Sequence, residues 1–280
     1  MLWKTYKKRK NKMIKVAVIG AAGRMGRMLV TRVIEDPELK LVGALEYSES
    51  PFLGQDAGIL VNKPAAKVLI TADADEAIKD ADCTIDFSAP GSTMTVAKKA
   101  AAKGIAMVIG TTGLVDDQKA VLKKLAADGA RIVFAPNMSV GVNLLFALCE
   151  KVGKLLGTDY DIEIVEMHHN KKKDAPSGTA VRLGEILADA IGVDYESDTR
   201  HGRVGLIGPR TKHEIGMHSL RGGDVVGDHT VIFATEGERI ELAHKASSRN
   251  CFVNGAIRAV KFLTTAQSGI YDMQDVLGLK

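Results

Sequence analysis

The chain has 280 residues, 46% of them apolar and 26% charged, with a formal net charge of +4. That is room for two domains with cores of their own, in a composition ordinary for globular proteins. It excludes a bilayer-crossing segment, since no apolar run approaches the required ~20 residues. Three scattered cysteines (Cys83, Cys149, Cys251) in no C-x-x-C arrangement exclude a disulfide framework and a zinc site, and fit a reducing cytoplasm.

The charge is unevenly placed. The first twelve residues hold six Lys or Arg and no acid; without them 32 basic residues face 34 acidic ones, a net charge of −2. The body is therefore no nucleic-acid binder on charge grounds, and no DNA-reading segment is visible. Lys15 interrupts what would be the apolar core of a secretory signal. Residues 1–12 read as a disordered basic extension placed upstream of Met13.

From Lys15 the chain reads K-V-A-V-I-G, a continuous apolar run of the kind buried in a parallel sheet. It enters Gly20-Ala21-Ala22-Gly23-Arg24-Met25-Gly26, followed by a helical pattern at Met28, Leu29, Val33 and Ile34. Strand, glycine turn and helix form the context of a dinucleotide-binding fingerprint, although the spacing is G-x-x-G-x-x-G rather than G-x-G-x-x-G. A second strand, Leu39 to Leu45, ends in Glu46, an acid placed to accept hydrogen bonds from ribose hydroxyls.

Further short apolar runs follow at Lys67–Thr71, Cys83–Phe87, Ala106–Gly110 and Arg131–Ala135, with helical segments at Thr93–Lys103 and Asp117–Asp128. This alternation predicts a doubly wound parallel sheet of Rossmann type. Its strand ends carry small and polar residues: Asp86-Phe87-Ser88, Gly110-Thr111-Thr112 and Ala135-Pro136-Asn137-Met138. Asp86 fits a turn cap as well as a ligand contact.

A long linking helix is predicted over Val140–Leu156. The chain then changes character. Asp159–Met167 reads as a strand, and His213–Leu220, Val225–Ala234 and Arg239–Ala246 as an antiparallel meander, giving a smaller α+β domain with a mixed, largely antiparallel sheet. His213, His218, His229 and His244 lie without metal-ligand spacing and read as ordinary sheet histidines, so no metal is expected. Asn250–Ala266 is helical again and packs back on the first domain.

Glu163–Ala180 stands apart. Its segment His168-His169-Asn170-Lys171-Lys172-Lys173-Asp174 concentrates positive charge that gives a core nothing to bury, and Pro176-Ser177-Gly178-Thr179 then opens a helix. Clustered cations beside free helix-start N–H groups suit an anionic ligand.

With both halves in view, the chain from Met13 to Lys280 resembles the dihydrodipicolinate reductase (4-hydroxy-tetrahydrodipicolinate reductase) family. Glu163–Ala180 fits the pattern E-[IV]-x-E-x-H-x-x-x-K-x-D-x-P-S-G-T-A at every fixed position, with G-A-A-G-R-M-G, V-I-G-T-T-G, N-M-S-V-G-V-N and H-K-A-S-S-R in order around it. The glycine turn alone is shared with homoserine and aspartate dehydrogenases; Glu163–Ala180 separates them. A non-catalytic nucleotide sensor would need no proton donor.

The resemblance implies hydride transfer from NADH or NADPH to a cyclic, conjugated imine with two carboxylates, in lysine and diaminopimelate biosynthesis. It implies His168 as general acid/base and Lys172 as proton donor, with His169, Gly178, Thr179 and Arg249 on the dicarboxylate substrate. Gly20, Ala21, Ala22, Gly23, Arg24, Met25 and Glu46 would hold the adenosine diphosphate portion; Gly110, Thr111, Thr112, Ala135, Pro136, Asn137 and Met138 would hold the nicotinamide end. It also implies a homotetramer built through the C-terminal domain. The expected division is 13–139, completed by 250–280, for the dinucleotide and 140–249 for substrate and assembly. One residue departs from the family: members using both nucleotides often carry Arg after the strand-end acid, where this chain has Tyr47. NADH is therefore expected to be preferred over NADPH.

Overall fold

The computed structural model describes residues 13–280; the expected basic extension lies outside them. The chain divides into two compact units, the described part of Met1–Pro136 with Val253–Val276, and Asn137–Phe252 with Leu277–Lys280.

The first unit alternates strands and helices: β1 Ile14–Ile19, α1 Arg24–Glu35, β2 Leu39–Leu45, α2 Ala57–Leu60, β3 Ile70–Thr71, α3 Ala74–Ile78, β4 Cys83–Asp86, α4 Pro90–Ala102, β5 Ala106–Ile109, α5 Asp116–Ala127 and β6 Arg131–Phe134. The second holds α6 Val140–Leu156, β7 Asp161–His168, α7 Gly178–Ile191, α8 Tyr195–Asp198, β8 Thr199–His201, β9 Ile215–Arg221, β10 Gly227–Thr235 and β11 Glu238–Ala246. Helix α9 Asn250–Leu263, β12 Gly269–Tyr271 and α10 Met273–Leu277 end the chain.

Seven strands of the first unit form one sheet in the order β12-β6-β5-β4-β1-β2-β3, every pairing parallel. Strands β4 and β5 are buried at all four positions, as strands covered on both faces must be. Ile19, Met107, Ile109, Leu122 and Ile132 anchor that core. The order reverses at β1, between β2 and β4, which is where open α/β sheets present ligand crevices.

This sheet differs from expectation in two places. The run predicted from Lys67 contributes only Ile70–Thr71 to the sheet: Lys67 takes a positive φ of 58°, and Asp56 binds the Val68 N–H and bridges Leu69. Strand β12 was not predicted, because three residues show no alternation, yet it pairs with β6 and widens the sheet.

In the second unit the sheet order is β11-β10-β7-β9-β8. The expected meander is corrected. Only β10 and β11 form a hairpin; β7 inserts between β9 and β10, antiparallel to β10 and parallel to β9, and β8 runs parallel to β9. The sheet is thus evenly mixed rather than largely antiparallel. Central placement follows from sequence, since β7 buries alternate residues Ile162 and Ile164 against Val231, Phe233, Ile215 and Met217. Helices α6 and α7 supply Leu145, Cys149, Leu183 and Leu187 to the same core. Each large side chain buried this way contributes about 1.5–3 kcal/mol.

Candidate active site

The glycine turn of the first unit is made almost entirely of backbone. Gly20 sits at φ +76°, and the N–H groups of Gly20 and Ala21 both donate to the Leu45 carbonyl at 2.9 Å. A Cβ on Gly26 would lie 1.9 Å from the Gly20 carbonyl oxygen, so α1 rests directly on the turn. Helix α1 has Gly23 at its N-cap and no side chain capping it, which leaves first-turn N–H groups available to an anion. Glu46 accepts the Ala22 N–H at 2.8 Å through Oε2 and the Tyr47 N–H at 3.2 Å through Oε1, fixing its carboxylate beside the turn.

A cleft of about 560 Å³ is lined by Gly20, Gly23, Glu46, Tyr47, Phe87 and Ser88, among others. Ala21 is fully buried beneath it, while Arg24 is exposed at the start of α1 and Met25 is half-buried behind it. Uncapped helix start, close-packed glycines and strand-end acid together fit an adenine dinucleotide.

At the ends of β4 and β5 the polar residues serve the protein itself. Buried Asp86 accepts the Ser88 N–H at 2.9 Å, the Ser88 hydroxyl at 2.6 Å and the Thr111 hydroxyl at 3.1 Å; Thr93 and Thr111 are joined at 2.9 Å. Burial pushes the Asp86 carboxyl up. Asp86 is thus a turn cap and does not line the cleft, settling the two readings left open by sequence. Thr111 is buried in this network and Gly110 lies against the Phe87 ring, with Thr112 exposed. The Ala135 N–H donates to Ile109, and Pro136 is exposed.

The second unit builds its site from side chains. His168, the last residue of β7, meets Glu166 through Nδ1 at 2.6 Å. Glu166 is fully buried and also receives Arg221 from the end of β9 (Nη1 to Oε2 3.0 Å, Nη2 to Oε1 2.9 Å) and the Ser177 N–H at 3.2 Å. Burial opposes its ionisation, but the Arg221, His168 and Ser219 contacts outweigh it and hold the carboxyl below its usual range. His229 packs edge-on to His168, with centroids 5.3 Å apart and planes at 77°, and its Nε2 lies 3.0 Å from the Ser177 hydroxyl. Burial first, and the charge of His168 second, lower His229 to about 4, so it is neutral near pH 7.

Sequence reasoning missed these supporting residues, although the period-2 signal was present. Glu166 is in phase with Ile162 and Ile164 on β7, and His229 with Val231 and Phe233 on β10; the two face each other across the strands. A polar residue in an apolar phase was the available clue. His229 is no ordinary sheet histidine. Of the others, His218 binds Glu163 at 2.7 Å, His244 lies 3.5 Å from the Ser139 hydroxyl, and His213 is exposed before β9.

Lys172 donates two of its three N–H groups to Asp174, at 2.9 and 2.8 Å. Lys171 and Lys173 are exposed. His169 is half-buried with Nδ1 unpartnered among the described residues. Ser177 caps α7 by accepting the Ala180 N–H at 3.2 Å, which leaves the Gly178 and Thr179 N–H groups for an anion. Asn137 joins this helix start, donating from Nδ2 to the Thr179 hydroxyl at 3.1 Å. Met138 is buried. Arg249 follows β11 and has no hydrogen bond to the His168 cluster.

Two family models together cover nearly the whole of residues 14–277. Residues 14–138 match the N-terminal domain of dihydrodipicolinate reductase and residues 141–277 its C-terminal domain. A 4-hydroxy-tetrahydrodipicolinate reductase of Syntrophotalea carbinolica is 51% identical over 96% of this chain and 100% of its own length. One from Cupriavidus pinatubonensis is 51% identical over 95% and 99%. A dipicolinate-bound dihydrodipicolinate reductase from Paenisporosarcina sp. TG-14 superposes with a TM-score of 0.73 at 25% identity, covering 94% of this chain and 99% of that one. The chain belongs to the dihydrodipicolinate reductase family, pyridine-nucleotide oxidoreductases that reduce 4-hydroxy-tetrahydrodipicolinate in diaminopimelate and lysine biosynthesis.

Proposed function

We propose that His168 is the general acid/base of this reduction and Lys172 the accompanying proton donor, acting on a cyclic dicarboxylate held at the start of α7. The observation that carries this is their juxtaposition: an imidazole at the end of β7 backed by a buried carboxylate, followed within the same loop by an ammonium and by two uncapped helix-start amides. Gly178 and Thr179 take one substrate carboxylate, His169 and Arg249 contact the substrate, and the cationic loop offsets the second carboxylate. A small dicarboxylate suits such a site, and the Paenisporosarcina relative holds dipicolinate.

The nucleotide is held by Gly20, Ala21, Ala22, Gly23, Arg24, Met25 and Glu46, with Gly110, Thr111, Thr112, Ala135, Pro136, Asn137 and Met138 at its nicotinamide end. Bound in reduced form, it supplies the hydride. The chain's own residues do the rest: they neutralise the substrate and deliver a proton to the conjugated system as negative charge develops there. Glu46 with Tyr47 beside it favours NADH, because an acid without an adjacent cation repels a 2′-phosphate. The protein works in the cytoplasm as a homotetramer formed through its second unit. Val204 and Leu206 are exposed on a loop pinned by Arg203 to Glu163 and Glu214 and by Arg210 to Asp161 and Glu163, an apolar surface suited to a second copy.

The test is NADH oxidation coupled to a dihydrodipicolinate synthase reaction, with His168→Gln and Lys172→Ala. Each variant should lose roughly 10²–10⁴-fold in turnover while keeping its NADH affinity. Unchanged turnover in both removes the assignment. A higher kcat/KM for NADPH than for NADH removes the preference, and a monomer by sedimentation removes the assembly.

A further inference from the structure

We propose that Glu166 is a positioning residue for His168: clamped by Arg221 and Ser177, it takes the Nδ1–H of His168 and thereby presents Nε2 to the substrate. The inference rests on His168 being the acid/base.

Both oxygens of Glu166 are fully used. Oε1 accepts Arg221 Nη2 at 2.9 Å and the Ser177 N–H at 3.2 Å; Oε2 accepts Arg221 Nη1 at 3.0 Å and His168 Nδ1 at 2.6 Å. With guanidinium and amide donors already directed at it, the carboxylate has no hydrogen to give, so the proton in the 2.6 Å contact belongs to His168. The ring's only exchangeable position is then Nε2. Three elements fix that geometry: β7 carries Glu166 and His168, β9 ends at Arg221, and Ser177 caps α7. Arg221 also donates to the Asp174 carbonyl at 2.8 Å, tying the clamp to the loop that carries Lys172.

The far side of the imidazole is left open by a glycine. A Cβ on Gly227 would lie 3.0 Å from His168 Nε2, so a larger residue there would crowd the nitrogen that must reach the substrate. His229 limits rotation of the ring without adding a second cation, since it stays neutral. Glutamine, although isosteric, cannot replace Glu166, because its NH₂ would meet hydrogen-bond donors on whichever side it faced.

The test uses the full-length protein. Glu166→Gln should lower kcat by roughly 10–100-fold with KM and NADH affinity changed less than about twofold, as expected for a group acting through another. Glu166→Asp, which keeps an acceptor, should recover part of the loss. Imidazole ¹⁵N shifts, assigned by the resonance that His168→Gln removes, should show neutral His168 as the Nδ1–H tautomer in the wild type. Wild-type turnover in Glu166→Gln would overturn the proposal. So would an Nε2–H tautomer in the wild-type spectrum, a result that stands even if the variant fails to fold. Loss of turnover in Glu166→Gln but not in His168→Gln would instead strike the acid/base reading itself.

Discussion

The two sites of this molecule are made of different material. The proposed nucleotide cleft is assembled from neighbouring backbone, with Gly20 to Glu46 supplying the turn, the uncapped helix start and the acid. The His168 cluster is assembled from side chains far apart in sequence, Glu166 joined to Arg221 across 55 residues and Ser177 to His229 across 52. A site made chiefly of backbone is protected by sterics and has few groups to titrate. A cluster of buried charges is precise but fails at any single member. Their weak points should therefore differ in kind.

The sharpest break of that contrast is Arg221→Met, which leaves the buried Glu166 carboxylate without its guanidinium. Removing one member of a buried ion pair costs about 3–5 kcal/mol. His168 and Ser177 still face Glu166, so the lower end is expected in urea unfolding. Replacing both residues, as Glu166→Met with Arg221→Met, should return most of that stability, since no charge is stranded, while turnover stays low. A double variant no more stable than Arg221→Met alone would show that the cluster fails through packing and not through charge.

Gly26→Ala attacks the other site where it is vulnerable. The added methyl meets the Gly20 carbonyl oxygen at 1.9 Å, a backbone atom that cannot rotate away. A loss of about 3 kcal/mol is expected, at the upper end for overpacking, with NADH affinity lost in titrations where the fold survives. Full NADH binding by Gly26→Ala would mean that the turn is not the cradle.

This same contrast explains what the sequence disclosed. The parallel sheet and the glycine turn were legible because their determinants are local: apolar runs, glycine spacing and an acid at a fixed distance. Glu163–Ala180 was legible as a candidate site because its charges lie close together in the chain. What escaped was non-local. Insertion of β7 between β9 and β10 is a pairing choice that neither strand's own pattern records. Glu166 and His229 were hidden in apolar phase, where strand alternation invites a hydrophobic residue and the partner that justifies a polar one lies on another strand.

Acid should separate the two sites next. His229 is held neutral at about 4, below its ordinary 6.5, while the unfolded chain binds the proton at the ordinary value. A base whose pKa is lowered by folding stabilises the native state above its unfolded pKa, and that stability drains away as pH falls from 6.5 towards 4. By pH 5 the loss amounts to ~2 kcal/mol. Unfolding free energies at pH 7.5, 6 and 5 should show it, and His229→Gln should flatten the profile in that window. His168, Glu166, His244 and Lys172 also act on His229, so an unflattened profile would assign the acid sensitivity to them.

The smallest expected effect concerns the 2′-position of the nucleotide. Tyr47 is exposed beside Glu46 at the edge of the cleft, and both line it. On the proposed nucleotide reading, Tyr47→Arg places a cation beside the 2′-position and offsets the Glu46 carboxylate at the same time. Charges interacting at an exposed site are worth about 1 kcal/mol or less, so the ratio of kcat/KM for NADPH over NADH should rise roughly fivefold and no further. Raising ionic strength should erase most of the gain, because the pair is open to counterions. A change of a hundredfold would mean that position 47 is desolvated when nucleotide binds. No change at all would move cofactor choice elsewhere, with Arg24 on the first turn of α1 the next residue to replace.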